Sequence, residues 1–268
     1  MSIGSAEVTI IGGGVSGLSS GYYLAKAGMD VVVIEKEIVG SESSARNGGL
    51  ISAAVDQGAV APTVVESLKM WPTLDKELGY PTEFVGQGRL RVAFTEEHME
   101  DIFQAAEDYR RFGLGAKVVD SQEARDMVPG LSERVLGGLF TPDAGHANPQ
   151  QTVEAFARAF EDRGGRLYQR TAVMGINVKD GRVSSVETSA GPIATEFVIS
   201  AAGPQTSLIA DMAGVHVPSA PAKIECIVTV PLEPLFDIVL TGNGLYGRQT
   251  LRGNLQFGGG PVEWIDVR

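Results

Sequence analysis

The sequence carries a single cysteine, Cys226, among 268 residues. One thiol excludes an intrachain disulfide and any metal or iron–sulfur site built from several cysteines. Its place in the apolar run 224–230 marks it as a buried, inert side chain. Basic residues are also scarce, at 22 against 33 acidic ones for a net charge of −11. That balance repels a phosphate backbone, and no basic run overrides it, so a nucleic-acid partner is excluded. No apolar run approaches the roughly 18 residues that a membrane-spanning helix needs. An apolar strand beginning by Val8 leaves no room for a cleaved leader, so the expected location is cytoplasmic. Glycine, by contrast, is abundant at 34 residues, in keeping with many tight turns. The length suits one large domain or two interleaved ones.

The glycines concentrate meaning at 8–36. Residues 8–11 form a short apolar run suited to a buried parallel strand. Gly12, Gly14 and Gly17 follow in the G-x-G-x-x-G spacing, a helix pattern runs over 15–27, and Gly28 stops it. A second apolar strand, 31–34, ends on Glu35. In such a unit the first glycine permits a tight turn and the second lets backbone approach a pyrophosphate. The third lets the helix pack close to the strand. The helix N-terminus offers unpaired N–H groups to the phosphates. Glu35 is placed to accept a ribose 2′-OH, which favours FAD or NAD over NADP. Gly21 extends the fingerprint in a way that resembles FAD-binding flavoproteins more than NAD dehydrogenases.

Beyond Glu35 the pattern predicts a Ser/Gly-rich loop at 40–49 and a helix over 60–78. Paired strands are expected over 83–94 with a turn near 86–88. Helices follow at 96–112, capped by Thr95, and after a Ser121 cap, ended by Pro129 and Gly130. Asn148 and Pro149 open a helix to about 163. Strands at 170–178, 182–188 and 193–201 form a meander with an Asp180–Gly181 turn. Further antiparallel strands are expected at 224–230, 244–249 and 254–259. The fold class is mixed α/β, with a Rossmann-type domain (1–82 and 143–215) interleaved with an antiparallel-sheet substrate domain (83–142 and 216–268).

These segments resemble the D-amino acid oxidase-like family of FAD-dependent oxidoreductases, in its glycine oxidase, sarcosine oxidase β-subunit and D-hydroxyproline dehydrogenase branch. The resemblance spans essentially the whole chain. It rests on the extended glycine fingerprint, on 44–49 (SARNGG), 128–131 (VPGL) and 137–140 (GGLF). The stretches 142–149 (PDAGHANP), 171–173, 201–204 (AAGP) and 248–259 complete it. It implies that Gly12, Gly14, Val15, Ser16 and Gly17 hold the FAD pyrophosphate, with Glu35 and Lys36 at the adenosine ribose. Ser43, Ser44, Arg46, Asn47, Gly48 and Gly49 would run beside the flavin, Val173 would meet the adenine, and Ala202 and Gly203 would end a strand aimed at the FAD.

The implied activity is oxidation of the C–N bond of a small amino acid or N-substituted amino acid, by hydride transfer to flavin N5. Such chemistry needs no protein base. His146 is therefore set aside as a base, and His98 and His216 read as structural or solvated. On the substrate side the candidates are Arg46, Arg248 and Tyr246. An arginine fork suits a substrate carboxylate, while a solvated strand charge is the plainer reading of Arg248 and a surface loop residue that of Arg46. The electron acceptor is oxygen, a quinone or a partner subunit. The family's pattern continues past position 268 through a G-x-R-P segment and a Gly-rich strand-to-helix closure, so the flavin site is expected to be open on one side. Two alternatives stay open: a non-catalytic FAD-binding subunit or inactive portion, and an NAD-dependent dehydrogenase.

Overall fold

Strand β1 (Gly4–Ile11) runs through the glycine loop into helix α1 (Val15–Lys26) and returns as β2 (Val31–Ile34) in the computed structural model, which describes residues 4–53, 55 and 58–266. Val267 and Arg268, where a shortened substrate sheet was expected to end, lie outside those residues. Two glycines are sterically required in this turn. A Cβ on Gly12, at φ 117°, would overlap the Ala201 carbonyl, and one on Gly17 would overlap the Gly12 carbonyl. Helix and loop therefore pack backbone to backbone, which no other residue allows.

The chain continues through β3 (Leu50–Ile51), α2 (Ala61–Leu78), β4 (Arg89–Ala93) and α3 (Glu96–Arg111). Next come β5 (Lys117–Asp120), α4 (Ser121–Met127), β6 (Gly137–Thr141) and β7 (Gly145–His146). Helix α5 (Pro149–Asp162) leads to β8 (Arg166–Tyr168) and the meander β9 (Val173–Lys179), β10 (Arg182–Thr188) and β11 (Ile193–Ser200). Helix α6 (Thr206–Met212) precedes β12 (Ala222–Lys223), β13 (Cys226–Pro231) and β14 (Val239–Gly242). Strands β15 (Leu245–Gln249), β16 (Asn254–Gly259) and β17 (Glu263–Trp264) close the described chain.

The mixed α/β architecture expected from the sequence is present. One six-stranded sheet has the order β8-β2-β1-β11-β10-β9, with the first four strands parallel and the meander antiparallel. Its centre is apolar on both faces, which is why 31–34 reads as an unbroken Val/Ile run; all four residues are buried. Leu18 and Tyr22 of α1 pack with Phe156 and Phe160 of α5 over one face. Asn148 starts α5 by accepting the Gln150 and Gln151 N–H groups, and Pro149 occupies its first turn. The second sheet, β13-β16-β15-β14-β4-β6-β5, is antiparallel except for the β4–β14 pair.

Three local expectations are corrected. Phe84 and Val85 do not pair with β4: Val85 bridges to His146, its N–H donating to the His146 carbonyl at 2.7 Å. Glu83 at φ 55° and Gly88 at φ 92° turn this stretch away, and β6 and β14 flank β4 instead. Helix α4 is capped by Asp120 rather than Ser121, because the Asp120 carboxylate accepts the Gln122 and Glu123 N–H groups and Ser121 donates to the Val135 carbonyl. Cys226 is half-buried, not buried. It lies on β13, an edge strand with β16 as its one neighbour in the sheet, where Ile227 and Val228 are each 55% exposed.

Candidate functional site

The parallel strands β1, β2 and β11 end beside one another, and a groove opens off those ends. Crevices outside the carboxyl ends of parallel strands are where such sheets take ligands. Ile11, Ile34 and Ala201 supply its apolar wall at the strand ends. Leu208, Ile209 and Met212 of α6 extend that wall.

Glu35, 8% exposed at the end of β2, is held from two sides. Its Oε2 accepts the Gly13 N–H at 2.7 Å and its Oε1 the Glu37 N–H at 2.8 Å. A carboxylate oxygen has a second acceptor lobe, so the acid is oriented and still able to take a hydroxyl. Gly13, a position the G-x-G-x-x-G spacing leaves free, is sterically committed as well: a Cβ there would lie 2.9 Å from the Glu35 Cβ. Helix α1 has glycine as its N-cap and no side-chain cap of its own. Ser44 reaches in from the following loop instead, its Oγ accepting the Val15 N–H at 3.0 Å. A Cβ on Gly14 would sit 2.8 Å from that Oγ. The passage between the helix N-terminus and the 40–49 loop is thus narrow, and a side chain at position 14 would have to displace the Ser44 hydroxyl that caps the helix.

The 43–49 loop is braced internally by Asn47. Its Nδ2 donates to the Ser43 and Ser44 carbonyls, and its Oδ1 accepts the Gly49 N–H at 2.7 Å. The loop then meets the second sheet. A Cβ on Gly48 would overlap the Tyr246 ring, and one on Gly49, at φ 67°, the Ala147 carbonyl. Arg248 is 4% exposed. Its Nε donates to the Gly48 carbonyl at 2.5 Å, its Nη1 pairs with His146 Nδ1 at 2.9 Å and its Nη2 donates to Gln256 Oε1 at 2.8 Å. Gln256 in turn donates to the Asn47 carbonyl at 3.0 Å.

Electrostatics follow this packing. Burial, aided by the Arg248 charge, lowers the His146 pKa from 6.5 to about 4, so the ring is neutral at physiological pH and its Nδ1 accepts from Arg248. Burial likewise lowers the Arg248 pKa from its ordinary value. Tyr246 is raised, by burial first and then by its hydrogen bond with Cys226.

The structure gathers the expected residues into two groups. Gly12, Gly14, Glu35, Lys36, Ser43, Ser44, Val173, Ala202 and Gly203 line the groove at the strand ends. Val15 and Ser16 open α1 above it and Gly17 backs the loop. Asn47, Gly48, Gly49, Tyr246 and Arg248 meet at the second sheet. Arg46 joins neither group: it is exposed and lines neither the groove nor the junction. Arg248 is not the solvated strand charge of the plainer reading. Its partners His146 and Gln256, and the cap from Ser44, carried no local signal. Arg248 and Gln256 are opposite each other only in the β15–β16 register.

Residues 7–267 match the family model described as FAD dependent oxidoreductase. The chain is 30% identical over 264 residues to the "Sarcosine oxidase subunit beta" of Rhodobacter capsulatus, covering 95% of this chain and 64% of that protein. It is 30% identical over 249 residues to the "Glycine oxidase" of Geobacillus kaustophilus, covering 90% of this chain and 66% of that one. Among solved structures, L-proline dehydrogenase from P. horikoshii superposes with a TM-score of 0.91 at 28% identity, over 97% of this chain and 71% of that one. The chain thus spans slightly less than two thirds of the length of these curated relatives. The groove suits the family's cofactor: a glycine passage for a diphosphate, an oriented acid for a ribose, and an apolar wall for a base.

Proposed function

We propose that this chain, which belongs to the FAD dependent oxidoreductase family, carries FAD for the oxidation of a C–N bond in a small amino acid or N-substituted amino acid. The observation that supports it most is the groove at the ends of β1, β2 and β11, where the α1 N-terminus, the Gly14 passage and the oriented Glu35 carboxylate converge. The N-terminal turn of α1 would face the diphosphate, Glu35 would accept from the ribose, Val173 would border the adenine, and Ala202 and Gly203 would end the strand aimed at the FAD. Bound FAD supplies the acceptor, at N5, for a hydride from the substrate α-carbon. The protein's task is then to bind the neutral amine, orient that C–H bond and exclude water. His146 is not a base in this scheme, because its Nδ1 is occupied by Arg248. The substrate class follows from the names of the relatives, which point to sarcosine and glycine, and the electron acceptor is oxygen, a quinone or a partner subunit. No helix among the described residues is long and apolar enough to cross a membrane; the cytoplasm is the location we assign.

A second reading, a non-catalytic FAD-binding subunit, is favoured by the Rhodobacter capsulatus relative's being named a subunit. Anaerobic titration of the purified, yellow chain with sarcosine, glycine and proline separates the two. Bleaching of the flavin bands supports the enzyme; bound flavin that none of them reduces supports the subunit. A colourless chain that binds NAD would return the choice to a nicotinamide dehydrogenase. Gly14→Val is expected to abolish stoichiometric flavin by filling the passage beside Ser44, and flavin retained in that variant would refute the placement of the diphosphate.

A further inference from the structure

We infer that Arg248 is a positioning residue: it latches the 43–49 loop to the second sheet through the Gly48 carbonyl, the His146 ring and Gln256, and thereby sets the pose of that loop. The consequence for the flavin rests on the FAD reading above; the latch itself does not.

A guanidinium buried this deeply is costly unless its N–H groups are bonded. Each of its three nitrogens has a partner, and the partners come from three separate stretches: the loop, β7 and β16. All three are neutral, since the bonded Gly48 and Gln256 oxygens carry no charge and His146 is held neutral by its surroundings. A residue built to clamp a substrate carboxylate presents both arms of its fork outward. Here the Nε–Nη edge is turned to protein, leaving one N–H on each Nη uncommitted. The planar, three-directional geometry explains why arginine stands here, because a lysine offers one point of attachment on a flexible stem. Gln256 completes the tie by holding Asn47 as well, so the loop is fastened at two successive carbonyl-bearing positions, 47 and 48. Gly48 and Gly49 permit this closeness: a Cβ on either would collide with Tyr246 or Ala147. The loop is therefore set from a position 200 residues away.

The test is amide hydrogen exchange over 43–50 in the cofactor-free and the FAD-loaded chain. Arg248→Lys and Arg248→Met are expected to speed exchange of 45–50 about tenfold or more in the cofactor-free protein, with α1 and β2 unchanged. FAD affinity should fall by a similar factor, and the visible circular dichroism of the bound flavin should change. His146→Gln, whose amide oxygen can accept from Arg248, should keep all three readouts near wild type, whereas His146→Leu should copy Arg248→Met. Should both Arg248 variants unfold, Gln256→Leu at its half-buried site is expected to free Asn47 and loosen the same peptide. Unchanged loop exchange in Arg248→Lys, with the loss confined to substrate KM, would overturn the latch and make Arg248 a carboxylate clamp. Wild-type protein that binds no FAD would sink the cofactor reading alone, because exchange in the cofactor-free chain still tests the latch.

Discussion

The glycine loop and the 43–49 loop approach the same groove by opposite routes. The first is assembled from a single βαβ unit, with Gly13 and Glu35 joined across 22 residues. The second takes its shape from Arg248 and Gln256, 200 and 209 residues away. The sheets behind them differ too. Strand β2 is buried along its whole length, whereas β13 lies at an edge and leaves Ile227, Val228 and Val230 exposed. A cofactor's diphosphate end can thus be gripped by a short, locally coded unit. In the proposed reading, the end that faces the substrate depends on two sheets meeting correctly.

Gly17→Val should show the largest effect. The added side chain would drive α1 off the loop, costing about 4 kcal/mol or more of stability by disrupting close core packing, read by denaturant unfolding. An equally stable variant would mean that the loop does not depend on this contact.

At the sheet junction the corresponding weak point is proton uptake. His146 has a pKa of about 4 in the fold against 6.5 for the free side chain. Between those values the unfolded chain binds a proton that the folded one refuses, so stability falls as pH drops from 6.5 towards 4 and is level above. The whole step is on the order of 3 kcal/mol. Comparing unfolding curves of wild type and His146→Gln across that range isolates it from carboxylate titration; parallel curves would show that His146 contributes nothing.

Valine truncations sharpen the contrast between sheets. Val33→Ala, in the centre of the parallel sheet, should cost about 2 kcal/mol through lost burial and a residual cavity. Val230→Ala, 73% exposed, should stay within about 0.5 kcal/mol. Equal costs would indicate that β13 is covered in solution. On ligand affinity, Glu35→Gln keeps the shape but gives up the charge that accepts the Gly13 and Glu37 N–H groups, weakening FAD binding about tenfold.

What was legible beforehand tracks these distances. The βαβ unit, the Asn148 cap of α5 and the Asp180–Gly181 turn, with both φ values positive, follow from neighbours in sequence. Phe84 and Val85 misled because alternation signals a strand but not its partner, which is His146. Ser121 reads as a cap because hydroxyl and carboxylate caps look alike in sequence, yet its Oγ donates to the Val135 carbonyl. Cys226 sat in an apolar run that suggests burial, yet such a run at a sheet edge is only half covered.

The sequence by itself determined the dinucleotide-type turn, the acid that ends β2 and the mixed α/β class. Sterics at Gly12 and Gly17, and side-chain periodicity, act over a few residues and leave a direct imprint on the string of letters. Only the tertiary structure decided that Ser44 caps α1, that Arg248 is a buried tie rather than a solvated charge, and that His146 is neutral beside it. Those outcomes depend on which groups are removed from water together. Desolvation and hydrogen-bond pairing are settled by chain segments that meet in space after folding, and no spacing in the sequence records them.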